Sequence, residues 1–230
     1  MKFDILFPSV ILAVIILTVA LYLKIEKKMK VVFEERKFTT RDTVLLVLLM
    51  GVMVTVMAFA PGQAIRILFM ASYSFVMFFF FSAVLRKWYL AIFPPVVFIL
   101  SYLYFWNLAL LSIFALIFAV IATVYMGVLF SWKTTWIFAI LLTVMDIIQV
   151  SLTGFMVKSA GKMIIQGLPI VVLLPTFPVE GIIVLGLGDI FLAGLLTIQT
   201  TLKHGWKSGV LTAVTVSIAW FIFEVVAFNM

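Results

Sequence analysis

Continuous apolar runs of about twenty residues recur along the chain, and they limit its fold more than any motif does. A run of that length spans the hydrocarbon core of a bilayer as a helix. Lipid offers no hydrogen-bond partner, so each backbone polar group must be satisfied within its own segment or in a closed barrel. Barrel strands alternate apolar and polar residues over about ten positions, and these runs do not. Composition agrees: 66% of the residues are apolar and 11% charged, whereas soluble domains run near one half and one quarter. A mean hydropathy of +1.34 points the same way.

The runs predict an all-α, multi-pass bundle of about eight spans: 5–24, 42–60, 64–85, 88–106, 108–130, 134–155, 181–201 and 207–228. They form one membrane domain over 1–230. Residues 1–133 serve as a helical scaffold, and 134–230 carry the chemistry. A basic segment and no small-residue cleavage site follow the first run, so it reads as a span and not a signal peptide. Twelve of the sixteen lysines and arginines fall on one side of this topology, with Lys2, Arg66, Lys158 and Lys162 on the other. The positive-inside rule then places both termini outside. The net charge of +7 is a topology signal, and no nucleic acid is expected as a partner. With no cysteine and a single histidine, His204, neither a disulfide nor a metal centre of the usual ligands is expected. Residues 156–180 do not fit a plain span. Gly167, Pro169, Pro175 and Pro178 predict an irregular outer connection, with an extended stretch over Ile170–Leu174.

Two acids stand inside the runs, Asp146 in span six and Asp189 in span seven. A carboxylate at mid-membrane costs about 2.5–3.5 kcal/mol on lenient scales, so such residues face the protein interior and have a partner or a task. Neither has a lysine or arginine within two helical turns. The spans run in opposite directions, and the rise of about 1.5 Å per residue puts both acids roughly 12–14 Å below the outer boundary. Two carboxylates held at one level in a low dielectric repel each other when both are ionised, so the pair shares a proton. One is then a base that activates water, and the other an acid toward a peptide carbonyl, with no cofactor.

Gly186 and Gly188 flank Leu187 directly before Asp189. Glycines let another backbone approach closely. A protease in lipid must receive an unwound substrate whose free amides and carbonyls need partners, and strand addition supplies them. The proline-rich 169–178 segment is the predicted edge.

Gly186-Leu187-Gly188-Asp189 is a Gly-x-Gly-Asp motif on a late span, with a second aspartate one span earlier. Together with the Pro169-Ile170 to Pro175 connection, it resembles the presenilin and signal peptide peptidase family of intramembrane aspartyl proteases, most of all its small archaeal members. The resemblance covers about residues 134–201. It implies that Asp146 and Asp189 are the catalytic dyad and that Gly186, Leu187 and Gly188 shape substrate binding. It also implies an archaeal cell membrane, and transmembrane helices or remnant signal peptides as substrates. Met145 stands where the family usually has tyrosine. The family's Pro-Ala-Leu triplet is absent, and with it a ninth span. Type IV prepilin peptidases share the Gly-x-Gly-Asp motif but place their second aspartate differently.

Two other classes compete. A cation- or proton-coupled transporter also uses paired membrane acids, but would show inverted repeats and further polar groups along a path. A catalytically idle relative would bind membrane helices as a scaffold. Other residues read more simply. Glu224 reads as a boundary residue, Glu180 as a helix-start acid, and His204 as an exposed loop residue. The Phe78–Phe81 run reads as lipid contact or core. Gln149, one turn after Asp146, either bonds within the bundle or lines a cavity.

Overall fold

The computed structural model describes residues 4–32, 36–85, 87–178 and 181–229. Nine α-helices lie among them: α1 (Leu6–Val32), α2 (Thr40–Phe59), α3 (Gly62–Val84), α4 (Phe93–Tyr104), α5 (Leu108–Leu129), α6 (Trp132–Ile147), α7 (Phe155–Ile165), α8 (Leu187–His204) and α9 (Trp206–Asn229). Two strands, β1 (Val171–Pro175) and β2 (Ile182–Gly186), precede α8. Six helical stretches are long and apolar enough to cross a membrane: α1, α2, α3, α5, α9, and α6 continued to Leu152. Their outward faces are apolar too. On α2, Leu45, Leu48, Leu49, Val52 and Val56 are all exposed, a surface that suits lipid and not water. The chain is an integral membrane protein built mainly of helices.

Local chemistry sets the helix ends. Thr39 and Asp42 form a capping box at the start of α2, and Ser131 and Thr134 form one at the start of α6. The predicted span 88–106 is broken in two. Trp88–Ile92 is a 3₁₀ turn, and α4 begins only at Phe93, with Pro94 and Pro95 in its first turn. Proline lacks the N–H of a helix interior but suits the first turn, so the pair sets the start.

Span seven, expected as a helix over 181–201, is corrected in its first part. Residues Ile182–Gly186 are a strand, and the helix begins at Leu187. The β-branched run Ile182, Ile183, Val184 favours this, and pairing with β1 satisfies its backbone. α8 falls short of the apolarity of the six, since Thr197, Gln199, Thr200, Thr201, Lys203 and His204 crowd its second half. The connection expected to be irregular over 156–180 is also more regular than foreseen. Gly154, left-handed at φ 66°, separates α7 from the preceding turn, and Gly167, at φ 65°, follows its end. The extended stretch expected over Ile170–Leu174 is β1, shifted by one residue.

The chain divides into two compact units. Unit 1 comprises residues 1–27, 107–127 and 171–230; unit 2 comprises 28–106 and 128–170. The core of unit 1 joins Phe7, Ile11 and Ile15 of α1, Ala115 and Ala119 of α5, Val172 and Leu185 of the hairpin, Ile190 and Ala193 of α8, and Ala213 of α9. The hairpin thus drives one face into the core, and this fixes the start of α8. In unit 2, α2 packs along α6 and α7, and α3 along α4. Lysines close helix ends there: Lys28 Nζ donates to the Val84 carbonyl at 3.0 Å, and Lys162 Nζ donates to the carbonyls of Ala58 and Ala60, both at 2.8 Å. These carbonyls lie where a helix runs out of its own donors.

Candidate functional site

β1 and β2 are antiparallel, with Val171 opposite Gly186 and Pro175 opposite Ile182. Bonded and non-bonded pairs alternate in such a ladder. The Thr176 N–H donates to the Gly181 carbonyl at 3.1 Å. The bonded pairs are therefore Leu174 with Ile183 and Val172 with Leu185. Leu173 turns its N–H and C=O outward, and Ser112 of α5 meets both. Its Oγ accepts from the Leu173 N–H at 3.0 Å and donates to the Leu173 carbonyl at 3.1 Å. Pro175, with no N–H, occupies another outward position, where none is needed.

The far edge of the hairpin is different. By the same alternation Ile182 and Val184 direct their N–H and C=O away from β1. No hydrogen bond from another element reaches them among the described residues. Their side chains are 63% and 57% exposed, while Leu185 between Val184 and Gly186 is buried in the core. This open edge runs straight into Gly186-Leu187-Gly188-Asp189.

Asp189 lies in the first turn of α8 and is exposed. Its carboxylate turns back toward β2: Oδ2 lies 3.5 Å from where a Cβ on Gly186 would stand. A negative group at a helix N-terminus faces the unpaired N–H groups there and is favoured by them. Only two residues thus separate Asp189 from the end of a strand, in contrast to the eight residues of helix that the sequence placed before it. Gly186 has an ordinary extended backbone (φ −68°, ψ 144°), and nothing lies within 4 Å of a Cβ built at Gly188. Neither glycine answers a strained dihedral or a crowded neighbour, and both leave bare backbone beside the carboxylate. Leu187 packs against the unit 1 core and anchors the turn.

Asp146 belongs to unit 2. It is half-buried near the end of α6, and its carboxylate meets no hydrogen-bond donor or cation among the described residues. One residue further on, after Ile147, the helix widens into a π turn over Ile148–Leu152. Such turns recur at functional sites. Gln149 within this turn is buried. Its Nε2 donates to the Gly51 carbonyl of α2 at 3.2 Å and to Thr55 Oγ1 at 3.3 Å. Of the two roles open to Gln149, the structure gives it bonding between helices.

The chain, set beside known proteins, matches no family model, no curated protein and no solved structure.

Two further acids are buried in the structure. Glu224, read as a boundary residue, is 5% exposed, and both its carboxylate oxygens lack a hydrogen-bond partner among the described residues. It continues the buried stripe of α9 through Ala213 and Ser217, which a count of residues to the span end does not reveal. Asp4 escaped the sequence analysis. It is fully buried in unit 1 and accepts from the N–H groups of Leu6 at 3.2 Å, Phe7 at 3.0 Å and Phe177 at 2.6 Å. It caps α1 and holds the tip of the hairpin at once. Its position just before an apolar run was a helix-start signal. His204 is exposed at the end of α8, and Glu180 lies outside the described residues, as do Lys2 and Arg86.

Proposed function

We propose that the chain is an intramembrane aspartyl endopeptidase of presenilin-like, eight-span architecture with its N-terminus outside. It cleaves transmembrane segments or remnant signal peptides. The observation that carries the reading is the open edge of β2, which leads directly to Asp189. A substrate helix unwound in lipid needs partners for its freed backbone groups. An extended segment added along Ile182–Gly186 finds them and arrives beside a carboxylate.

Asp146 and Asp189 share the chemistry and one proton. The ionised aspartate takes a proton from water as the oxygen attacks the scissile carbonyl carbon. The protonated aspartate gives its proton to the carbonyl oxygen, forming a neutral gem-diol. The first acid then gives its proton to the amide nitrogen, the second aspartate takes a proton back from one gem-diol hydroxyl, the C–N bond breaks, and the carboxyl and amine products leave with the shared proton restored.

Purified protein in detergent or vesicles, given a transmembrane peptide, tests the reading. Wild type cuts; Asp189→Ala and Asp146→Ala each lose cleavage by at least about 10²-fold. Equal cleavage by wild type and either variant, or none by wild type across a broad range of lipids and pH, overturns it.

A further inference from the structure

We infer that Gly51 on α2 is a positioning residue that sets the rotation of α6 at Asp146. The inference rests on the proposed role of Asp146. Two contacts converge on Gly51 from either side of that aspartate. Met145, the residue before it, places its side-chain methyl in the space a Cβ at Gly51 would occupy. Gln149, three residues after it, donates to the Gly51 carbonyl at 3.2 Å. Met145 and Gln149 are four apart, so they share one face of the helix. Asp146 lies about 100° around from Met145, the turn per residue of a helix of about 3.6 residues per turn.

The two contacts lock different things. The Met145 methyl fixes how closely α6 approaches α2, because only a residue without a Cβ leaves that notch. The Gln149 amide fixes where along α2 the π turn sits, and Thr55 holds the same carbonyl at 2.9 Å from its own hydroxyl. Gln149 Nε2 also reaches Thr55 Oγ1 at 3.3 Å, so both its acceptors belong to one turn of α2, and its Oε1 is buried with no hydrogen-bond partner among the described residues. A face fixed at two points one turn apart has no freedom to roll, and the carboxylate between them keeps its direction. Asp146 itself has no hydrogen bond to hold it among the described residues, so its aim depends on this neighbouring face.

An alanine at Gly51 would ask only the Met145 methyl to swing aside, so the test uses Gly51→Leu, which fills the notch. The chain has no cysteine, so Asp146→Cys gives a single labelling site whose maleimide reaction rate reports direction without any need for activity. Gly51→Leu in that background changes the rate by about threefold or more, and adding Met145→Ala, which frees the matching volume, brings it back. Gln149→Leu, which leaves the notch intact, changes the rate as well, and it serves if Gly51→Leu does not fold. In the active protein Gly51→Leu lowers kcat by about tenfold or more with KM little changed, as a misplaced catalytic group does, and Met145→Ala restores it. An unchanged labelling rate in Gly51→Leu and in Gln149→Leu overturns the inference, whatever the cleavage assay gives. A shifted and restored rate in a protein whose wild type never cuts keeps the positioning role and removes the protease reading.

Discussion

Ser112 on α5 holds both backbone polar groups of Leu173, the N–H at 3.0 Å and the carbonyl at 3.1 Å. One hydroxyl thereby replaces the neighbouring strand that the outer edge of β1 lacks. Ser112→Ala leaves both groups without a partner in a nearly buried place. We expect a loss of about 1–3 kcal/mol, read as a lower midpoint in thermal unfolding in detergent and faster hydrogen exchange at the Leu173 amide. Ser112→Thr keeps the hydroxyl and stays close to wild type.

The alternation in the hairpin separates two neighbouring residues. The Ile183 N–H faces β1 and the Val184 N–H faces outward. Ile183→Pro removes a ladder bond and destabilises the hairpin itself. Val184→Pro removes only an outward donor, at the kind of edge position where proline is tolerated. If substrates add along this edge, Val184→Pro keeps the unfolding midpoint but lowers kcat/KM for a transmembrane peptide by about tenfold, from one lost hydrogen bond of about 1.5 kcal/mol. Unchanged kcat/KM in Val184→Pro would exclude strand addition here.

Lys162 reaches from α7 to two carbonyls at the end of α2, those of Ala58 and Ala60. Lys162→Met keeps most of the side-chain length and removes the donors. The expected cost is about 1–3 kcal/mol, seen as a lower unfolding midpoint and earlier proteolysis near residues 58–62. Lys162→Arg recovers part of it.

Two donors share one acceptor in unit 1. The hydroxyl of Tyr22 and the amide of Gln199 both give a hydrogen bond to the Gly127 carbonyl, at 3.2 and 3.1 Å. Either bond alone keeps that oxygen in hydrogen-bonded contact with a side chain. Tyr22→Phe and Gln199→Met are each expected to be mild, and the double variant to lose more than the sum by about 0.5–1 kcal/mol. A double-mutant cycle on unfolding free energies checks this; strict additivity would count against a shared role.

The helical class was legible because long apolar runs admit few alternatives in lipid, and both aspartates stood out for being charged within such runs. The break before α4 was written in Pro94 and Pro95 but was masked by the apolar content around them. The strand before α8 was harder. Ile182–Leu185 is as apolar as any span, and periodicity does not separate a buried strand from a buried helix over so few residues. β-branching was the usable signal, and the pairing that made it decisive comes from β1, across a connection. The capping role of Asp4 was half visible, since its bond to Phe177 joins residues 173 positions apart. Nothing in the sequence marks Gly51, because its notch is defined only by the Met145 methyl that packs into it from another helix.

Only Leu187 and Gly188 separate the final residue of β2 from Asp189. That interval is fixed by covalent bonds, so it cannot be altered by changes in packing elsewhere. A guest peptide lying along β2 would be measured from a permanent datum. If the proposed protease reading holds, different guests are cut at one distance from their paired stretch, with little regard for which residues flank the cut.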